Sequence, residues 1–502
     1  MEKLASIAID TALKKGATYV DVRIVETRRE DLSVRNGEIA ELDRSETLGF
    51  GVRVIAAGAW GFAASNRIAR DELARVAAQA VEVARASARL KPSGLRLAPE
   101  PVHRDTWSTP YITDPFAVPL EGKLDLLHTI DHVLRKKSAI AVAESNMSFL
   151  RERTWLASSE GTFVDQTLLR SGVGYSATAV GNGDTQIRSY PNSFRGQYLG
   201  LGYELVKSLP LVENAERVRE EAIALLDAPP CPEGVKDLIV DGSQLALQIH
   251  ESVGHATELD RVLGMEESYA GSSFATTDKL GKFGYGSPIV NLVADSTVPT
   301  GLATIGYDDD GVAAQRWHVV QAGVLQGYLT SRELAHPIRE GRSRGCCRAE
   351  GHQNIPIIRI PNLSLMPGDV TFEALVKDTR DGIYMETNRC WSIDQLRLNF
   401  QFGCEAGWEI KNRKRGRMLK NPSYQSITPK FWGRATRSAT RRTGCSGGQQ
   451  LRQGPAGADR RDVPRRRARP LPEGGGGRRE RLARAAWYGV SPRRSSRGAS
   501  RH

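Results

Sequence analysis

The spacing of apolar positions changes period several times along the chain, and each change marks an element. Leu4, Ile7, Ala8 and Leu13 recur at helical spacing, which predicts a helix over residues 2–15 that stops at Gly16. Residues 19–25 (Tyr-Val-Asp-Val-Arg-Ile-Val) then alternate as a strand, and strand-like runs follow at 32–34 and 39–42. Asn36-Gly37, between the last two, is the dipeptide of a tight hairpin. Residues 49–55 extend the same sheet. Over residues 71–88 the stripe Leu73, Val76, Ala77, Ala80, Val81 and Ala84 predicts an amphipathic helix lying on that sheet.

The Pro-rich stretch 91–119 reads as a boundary. Beyond it come a helix-rich piece at 121–137, strands near 140–205 and an amphipathic helix at 213–226. Asp227-Ala228-Pro229-Pro230-Cys231-Pro232 is the clearest linker in the body. After it, β-rich runs alternate with turn signals around one conspicuous helix. The expected fold class is α+β: an N-terminal α/β-sheet domain (1–95), a central domain (120–228), a mainly β C-terminal domain (233–432) and a tail (433–502).

Composition changes this picture at one place. A chain of 502 residues buries more than one core, and its net charge of +12 suggests phosphate partners until the charge is located. Residues 434–502 hold nineteen Arg and only four acids, a net of +15, so the remainder carries −3. The body therefore offers no electrostatic case for nucleic acid, and the tail reads by composition as a disordered, basic extension. The first ten residues lack a signal-like start, and no apolar run reaches the roughly eighteen residues of a membrane span. The six cysteines are sparse and irregular, unlike a secreted disulfide framework. The expectation is a cytoplasmic protein with reduced thiols and no membrane partner.

The candidate chemistry lies on the conspicuous helix. Residues 236–240 predict a strand, Asp241-Gly242-Ser243 a turn and N-cap, and residues 244–253 a helix carrying His250-Glu251-Ser252-Val253-Gly254-His255. In an H-E-x-x-H helix the two histidines share a face and bind Zn²⁺, and the glutamate activates the metal's water. Here the spacing is five, which on a regular helix leaves the rings roughly 140° apart, at about 100° per residue. A local widening by one residue would bring them together, and Gly254 has the backbone freedom this needs. Two neighbouring histidines without a metal remain the plainer alternative on spacing alone.

The run from His250 to Glu258 resembles the H-E-x-x-x-H signature of the TldD/PmbA metallopeptidases. Further matching runs are Thr304-Ile305-Gly306-Tyr307-Asp308-Asp309-Asp310-Gly311, Tyr328-Leu329-Thr330-Ser331-Arg332 and Ile358-Arg359-Ile360-Pro361-Asn362. Others are Gly382-Ile383-Tyr384-Met385-Glu386, Asn399-Phe400-Gln401-Phe402-Gly403-Cys404-Glu405 and Ile427-Thr428-Pro429-Lys430-Phe431-Trp432. The resemblance implies a zinc peptidase that cuts short or unfolded peptides held extended inside a homodimer or heterodimer. His250 and His255 would be ligands, and Glu251 the general base.

One departure stands out. The family's third ligand is a cysteine in a run resembling Asn-Cys-Gly-Lys-Gly, and no such run occurs here. Gln449-Gln450-Leu451-Arg452-Gln453-Gly454-Pro455-Ala456-Gly457 is, however, encodable as CAA CAA CTG CGG CAA GGG CCA GCC GGG. Read one base later, that DNA gives Asn-Asn-Cys-Gly-Lys-Gly-Gln-Pro. We therefore read the tail as a reading-frame change near Gly433. Cys445, Cys346-Cys347 and His352 are weaker ligand candidates, Cys390 and Cys404 are expected as small core residues, and Glu258 as an orienting partner for a ligand. The alternative to an enzyme is a catalytically inactive peptide-binding subunit of the same dimer.

Overall fold

The computed structural model describes residues 1–90, 94–439 and, as backbone alone, 451–453. Four strands of unusual length dominate its first half. The helix α1 (Glu2–Lys14) leads into β1 (Tyr19–Arg35), which turns at Asn36-Gly37 into β2 (Glu38–Ala56). Both turn residues have positive φ, 54° and 86°, as the hairpin type favoured by Asn-Gly requires. The short strand-like runs of the sequence are thus pieces of one continuous ribbon. Their apparent breaks are positions such as Glu26 and Arg28, exposed where the ribbon passes between two covered ends.

The sheet continues through β3 (Ala59–Ser65), β4 (Arg104–Ser108), β5 (Ile140–Ser158) and β6 (Phe163–Gly181), in the order β3-β2-β1-β5-β6-β4, with β7 (Asp184–Tyr190) and β8 (Gln197–Leu199) also paired to β6. Because β1 pairs with β5 from Asp21 to Arg35, the sheet runs on past the Pro-rich stretch. Two helix layers cover it at different places. With α1, the helix α2 (Arg70–Ala88) encloses Val20, Val22, Ile24, Phe50 and Val52. The helices α3 (Leu120–Leu134) and α5 (Leu211–Asp227), with the short α4 (Glu204–Ser208) between them in sequence, enclose Leu32, Val34, Met147 and Phe149. One ribbon therefore supplies two hydrophobic cores.

The C-terminal part builds its own core. The strand β9 (Asp237–Val240) runs parallel to β16 (Asp381–Ile393), inside the sheet order β18-β17-β16-β9-β21-β20. Its other members are β17 (Asn399–Lys411), β18 (Lys414–Leu419), β20 (Ala435–Ser438) and β21 (Leu451–Gln453), with β19 (Ser423–Ile427) on β17. A second sheet has the order β12-β11-β10-β15, from β10 (Leu292–Asp295), β11 (Arg316–Gln321), β12 (Val324–Leu325) and β15 (Leu363–Leu365). Cys347–Arg348 (β13) and Ile357–Ile358 (β14) form a small hairpin. The helices α6 (Gly242–Ile249), α7 (Leu259–Val262), α8 (Phe372–Asp378) and α9 (Thr428–Gly433) complete the part.

Ordered structure extends past Trp432, since Ala435 and Ala439 are buried; Cys445 and most of the tail lie outside the described residues. Cys404 is buried as expected, but Cys390 is exposed, because a bulge between Asn388 and Cys390 turns its side chain out of the core. Among the described residues no helix is long and apolar enough to cross a membrane.

Buried charges tie the two parts together. Arg53 of β2 bridges Asp21 and Asp310 at 2.8 and 2.7 Å, and Arg332 pairs with Glu160 while donating to the Ala98 carbonyl. Arg188 of β7 reaches Glu221, Glu386 and Glu405. These arginines fix the C-terminal part against the long sheet.

Candidate active site

The strand β9 ends at Val240, and the next residue, Asp241, accepts from the Ser243 N–H at 2.9 Å and so caps α6, as the turn signal predicts. The helix is regular only as far as Ile249. From His250 to Gly254 it widens into a π turn, in which the N–H of His255 donates to the carbonyl of His250. That i→i+5 bond stacks residues five apart, so the spacing that a regular helix cannot use becomes a shared face. The two imidazole rings lie 4.6 Å apart, centroid to centroid, at 80°. His250, Glu251 and His255 each bring a potential ligand atom within 4.8 Å of the others.

A widened turn disturbs the helical ladder, and side chains take up the displaced groups. Tyr285 donates to the Ser252 carbonyl at 2.5 Å, and Thr257 to the Val253 carbonyl at 2.8 Å. The Ser252 hydroxyl receives the Trp432 indole N–H at 3.1 Å and itself donates to the Gln248 carbonyl. Gly254 also lets Ile360 pack close, because a Cβ there would sit 2.6 Å from Ile360 Cδ1 and force that side chain to shift.

The electrostatics suit neutral ligands. Burial, with the His255 ring second, holds His250 down to about 3, and burial likewise takes His255 to about 3. Both imidazoles are therefore unprotonated at neutral pH, the state that coordinates a metal. His255 Nδ1 lies 2.7 Å from the Glu258 carboxylate, which fixes Nδ1 as the protonated nitrogen and leaves Nε2 with its lone pair. Glu258 is buried and held in turn by Arg261 at 3.1 Å.

Glu251 is 6% exposed and pairs with Arg397 Nη1 at 3.3 Å. Arg397 stands in the left-handed region at φ 62° in the β16–β17 loop, and the same guanidinium donates to the Ala270 carbonyl. Sequence reasoning missed it: 146 residues separate the pair, and nothing local to Asp394-Gln395-Leu396-Arg397 announces the contact.

The other sequence candidates are not brought to this site. Cys346 and Cys347 are buried thiols whose pKa burial raises, the opposite of what a thiolate ligand needs. His352 packs over Gly49 of β2. Asp308, Asp310 and Cys347 form a second compact cluster, but its acids are already used. Asp308 accepts from the backbone N–H of Asp310, Val312 and Cys347, and Asp310 from Arg53 and the Arg332 N–H.

Comparison with known proteins gives consistent results. Residues 20–84 match the PmbA/TldA metallopeptidase domain 1, residues 113–226 its central domain and residues 233–449 its C-terminal domain. A metalloprotease of Methanocaldococcus jannaschii is 29% identical over 80% of this chain and 85% of its own length. A metalloprotease TldD homolog of Haemophilus influenzae is 24% identical over 81% and 82%. A zinc metalloprotease TldD homolog of Saccharolobus solfataricus is 24% identical over 34% of this chain and 36% of its own. Among solved structures, TldE from Thermococcus kodakarensis superposes with a TM-score of 0.68 at 14% identity, covering 91% of this chain and 98% of its own. A Thermotoga maritima protein described as a proposed modulator of a DNA gyrase gives 0.73 at 17% identity, covering 90% and 98%. With matches to all three domains in order and curated metalloproteases aligned along most of its length, the chain belongs to the PmbA/TldD metallopeptidase family.

Proposed function

We propose that this metallopeptidase uses zinc, held by His250 and His255, to hydrolyse short or unfolded peptides, with Glu251 as general base. The observation that carries the reading is the π turn, which joins the two histidines through a backbone hydrogen bond and sets Glu251 between them in sequence and beside them in space. A zinc ion at this site supplies a Lewis acid that acidifies water and polarises a peptide carbonyl. The rest belongs to the chain. Glu251 accepts the proton of the attacking water and returns it to the leaving amine, Arg397 holds its carboxylate in place, and Glu258 keeps His255 in the ligating tautomer. An inactive partner subunit would have no use for this arrangement.

The third ligand belongs to the same proposal. The cysteine of the shifted reading frame falls at the codon of Leu451, whose backbone pairs with Val240 at the end of the strand that leads into α6. A ligand delivered on that strand would enter from the sheet beside the site helix. The likeness to the TldE structure supports a TldD/TldE-type partner, and we place the chain in a homodimer or in a dimer with a related subunit. The free cysteines among the described residues suit the cytoplasm.

The test is metal content by plasma mass spectrometry on the purified chain beside His250→Ala, repeated for a chain with the frame restored after Gly433. Roughly one zinc per chain, lost in His250→Ala, supports the site. Zinc in neither chain sinks it. Glu251→Gln should keep the zinc of its parent and abolish peptide cleavage.

A further inference from the structure

The hairpin of β13 and β14 pairs Arg348 with Ile357, and the Arg359 N–H donates to the Cys346 carbonyl. Side chains alternate along strands, so Arg348 and Arg359 stand on the same face as diagonal neighbours. Like charges so placed repel, and an anion between them would relieve the repulsion. Arg359 reaches Glu266 only at 3.8 Å, and Arg348 has no hydrogen bond or ion pair at contact distance among the described residues. A third guanidinium, Arg170 of β6, lies close enough to oppose the charge of Arg348, and its Nη2 is buried without a hydrogen-bond partner.

Arg348 and Arg359, though not Arg170, line a cleft of about 40 Å³ together with Glu152, Tyr307, Ile360 and Pro361. At roughly 10–15 Å³ for each water, that is room for a carboxylate and not for a large side chain. Three acids share the lining: Asp308 accepts from backbone N–H groups, Asp309 is paired with Arg23, and Glu152, whose carboxyl burial pushes up, lies within reach of the Arg170 and Arg348 charges. The cleft borders the catalytic helix, because Ile360 is both its wall and the residue packed on Gly254. The positive charge of Arg348 is also felt at His250.

We propose that Arg348, with Arg359 beside it and Arg170 behind, forms an anion subsite that receives a carboxylate of the peptide held at Glu251. The proposal rests on the peptidase reading given above. The carboxylate has two sources, the peptide's free C-terminus or an acidic side chain, and the guanidinium fork suits either.

Binding separates the possibilities. On the Glu251→Gln chain, fluorescence anisotropy is measured with four labelled peptides of otherwise neutral sequence, combining a C-terminal acid or amide with an internal Glu or Gln. The expected result is at least tenfold tighter binding of one acidic form over its neutral twin. Adding Arg348→Met should bring that ratio to within twofold without weakening the neutral peptide or shifting the melting temperature, and Arg348→Lys should retain part of it. The arm that shows the preference names the source. Equal binding of acid and neutral twins, or a preference unchanged in Arg348→Met, overturns the subsite. Cleavage by the unmutated chain that ignores peptide charge overturns it while leaving the peptidase standing. Binding of no peptide overturns both.

Discussion

At the scale of single residues, burial has shifted two carboxyls, Asp260 and Glu405, into the physiological range. Asp260, near the base of the site, is pushed up to about 7, by burial first and then by Glu258 and Glu266. In the unfolded chain it ionises near 3.8. Between those values the folded state keeps a proton that the unfolded state has lost, so this group's stabilisation is complete below about pH 4 and disappears as the pH rises through 7, at about 1.4 kcal/mol per unit. Asp260→Asn should therefore gain stability relative to the wild type between pH 5 and pH 8; a difference in denaturation free energy that stays constant over that range refutes the assignment. The cluster of His250, Glu251 and His255 and the contact of Glu258 with His255 are legible in the sequence because they fall within nine consecutive positions. Arg397 and Arg348 are not legible, because their positions depend on loops that fold back from far along the chain.

At the scale of elements, the decisive object is the π turn. Its need could be argued from a spacing of five, but not the parts that hold it, since Tyr285, Ile360 and Trp432 come from three separate segments. Gly254→Ala should cost about 1–3 kcal/mol through the clash with Ile360 and lower metal content. Adding Ile360→Ala should recover part of both, as read by thermal melting and metal analysis. Ser252→Ala removes the acceptor of the Trp432 indole N–H and should destabilise by about 1–3 kcal/mol. If Ser252→Ala costs nothing in stability, the aromatic support is packing alone. The helices α1, α2, α3 and α5 were readable within a few residues, because each shows its apolar stripe to a sheet. The length of β1 and β2 was hidden, because the exposed midsection looks in sequence like a loop between shorter strands.

At the scale of the whole molecule, the buried arginines decide how the parts sit on one another. Arg53 is the clearest case: replacing it with Met leaves Asp21 and Asp310 buried without their counter-charge, a loss of about 3–5 kcal/mol. Asp21→Asn together with Asp310→Asn should restore much of the stability of Arg53→Met, and chemical denaturation of the three chains reads the coupling. In the TldD/PmbA-like runs at 304–311 and 328–332, Asp310 and Arg332 belong to this joint. The ribbon of β1 and β2 has a different kind of consequence. Leu32 and Val34 lie within the first ninety residues but complete a core whose other walls come from Phe116 onward. The first two modules therefore cannot be shuffled into other proteins one at a time, and a lineage that keeps this fold inherits them together or loses both.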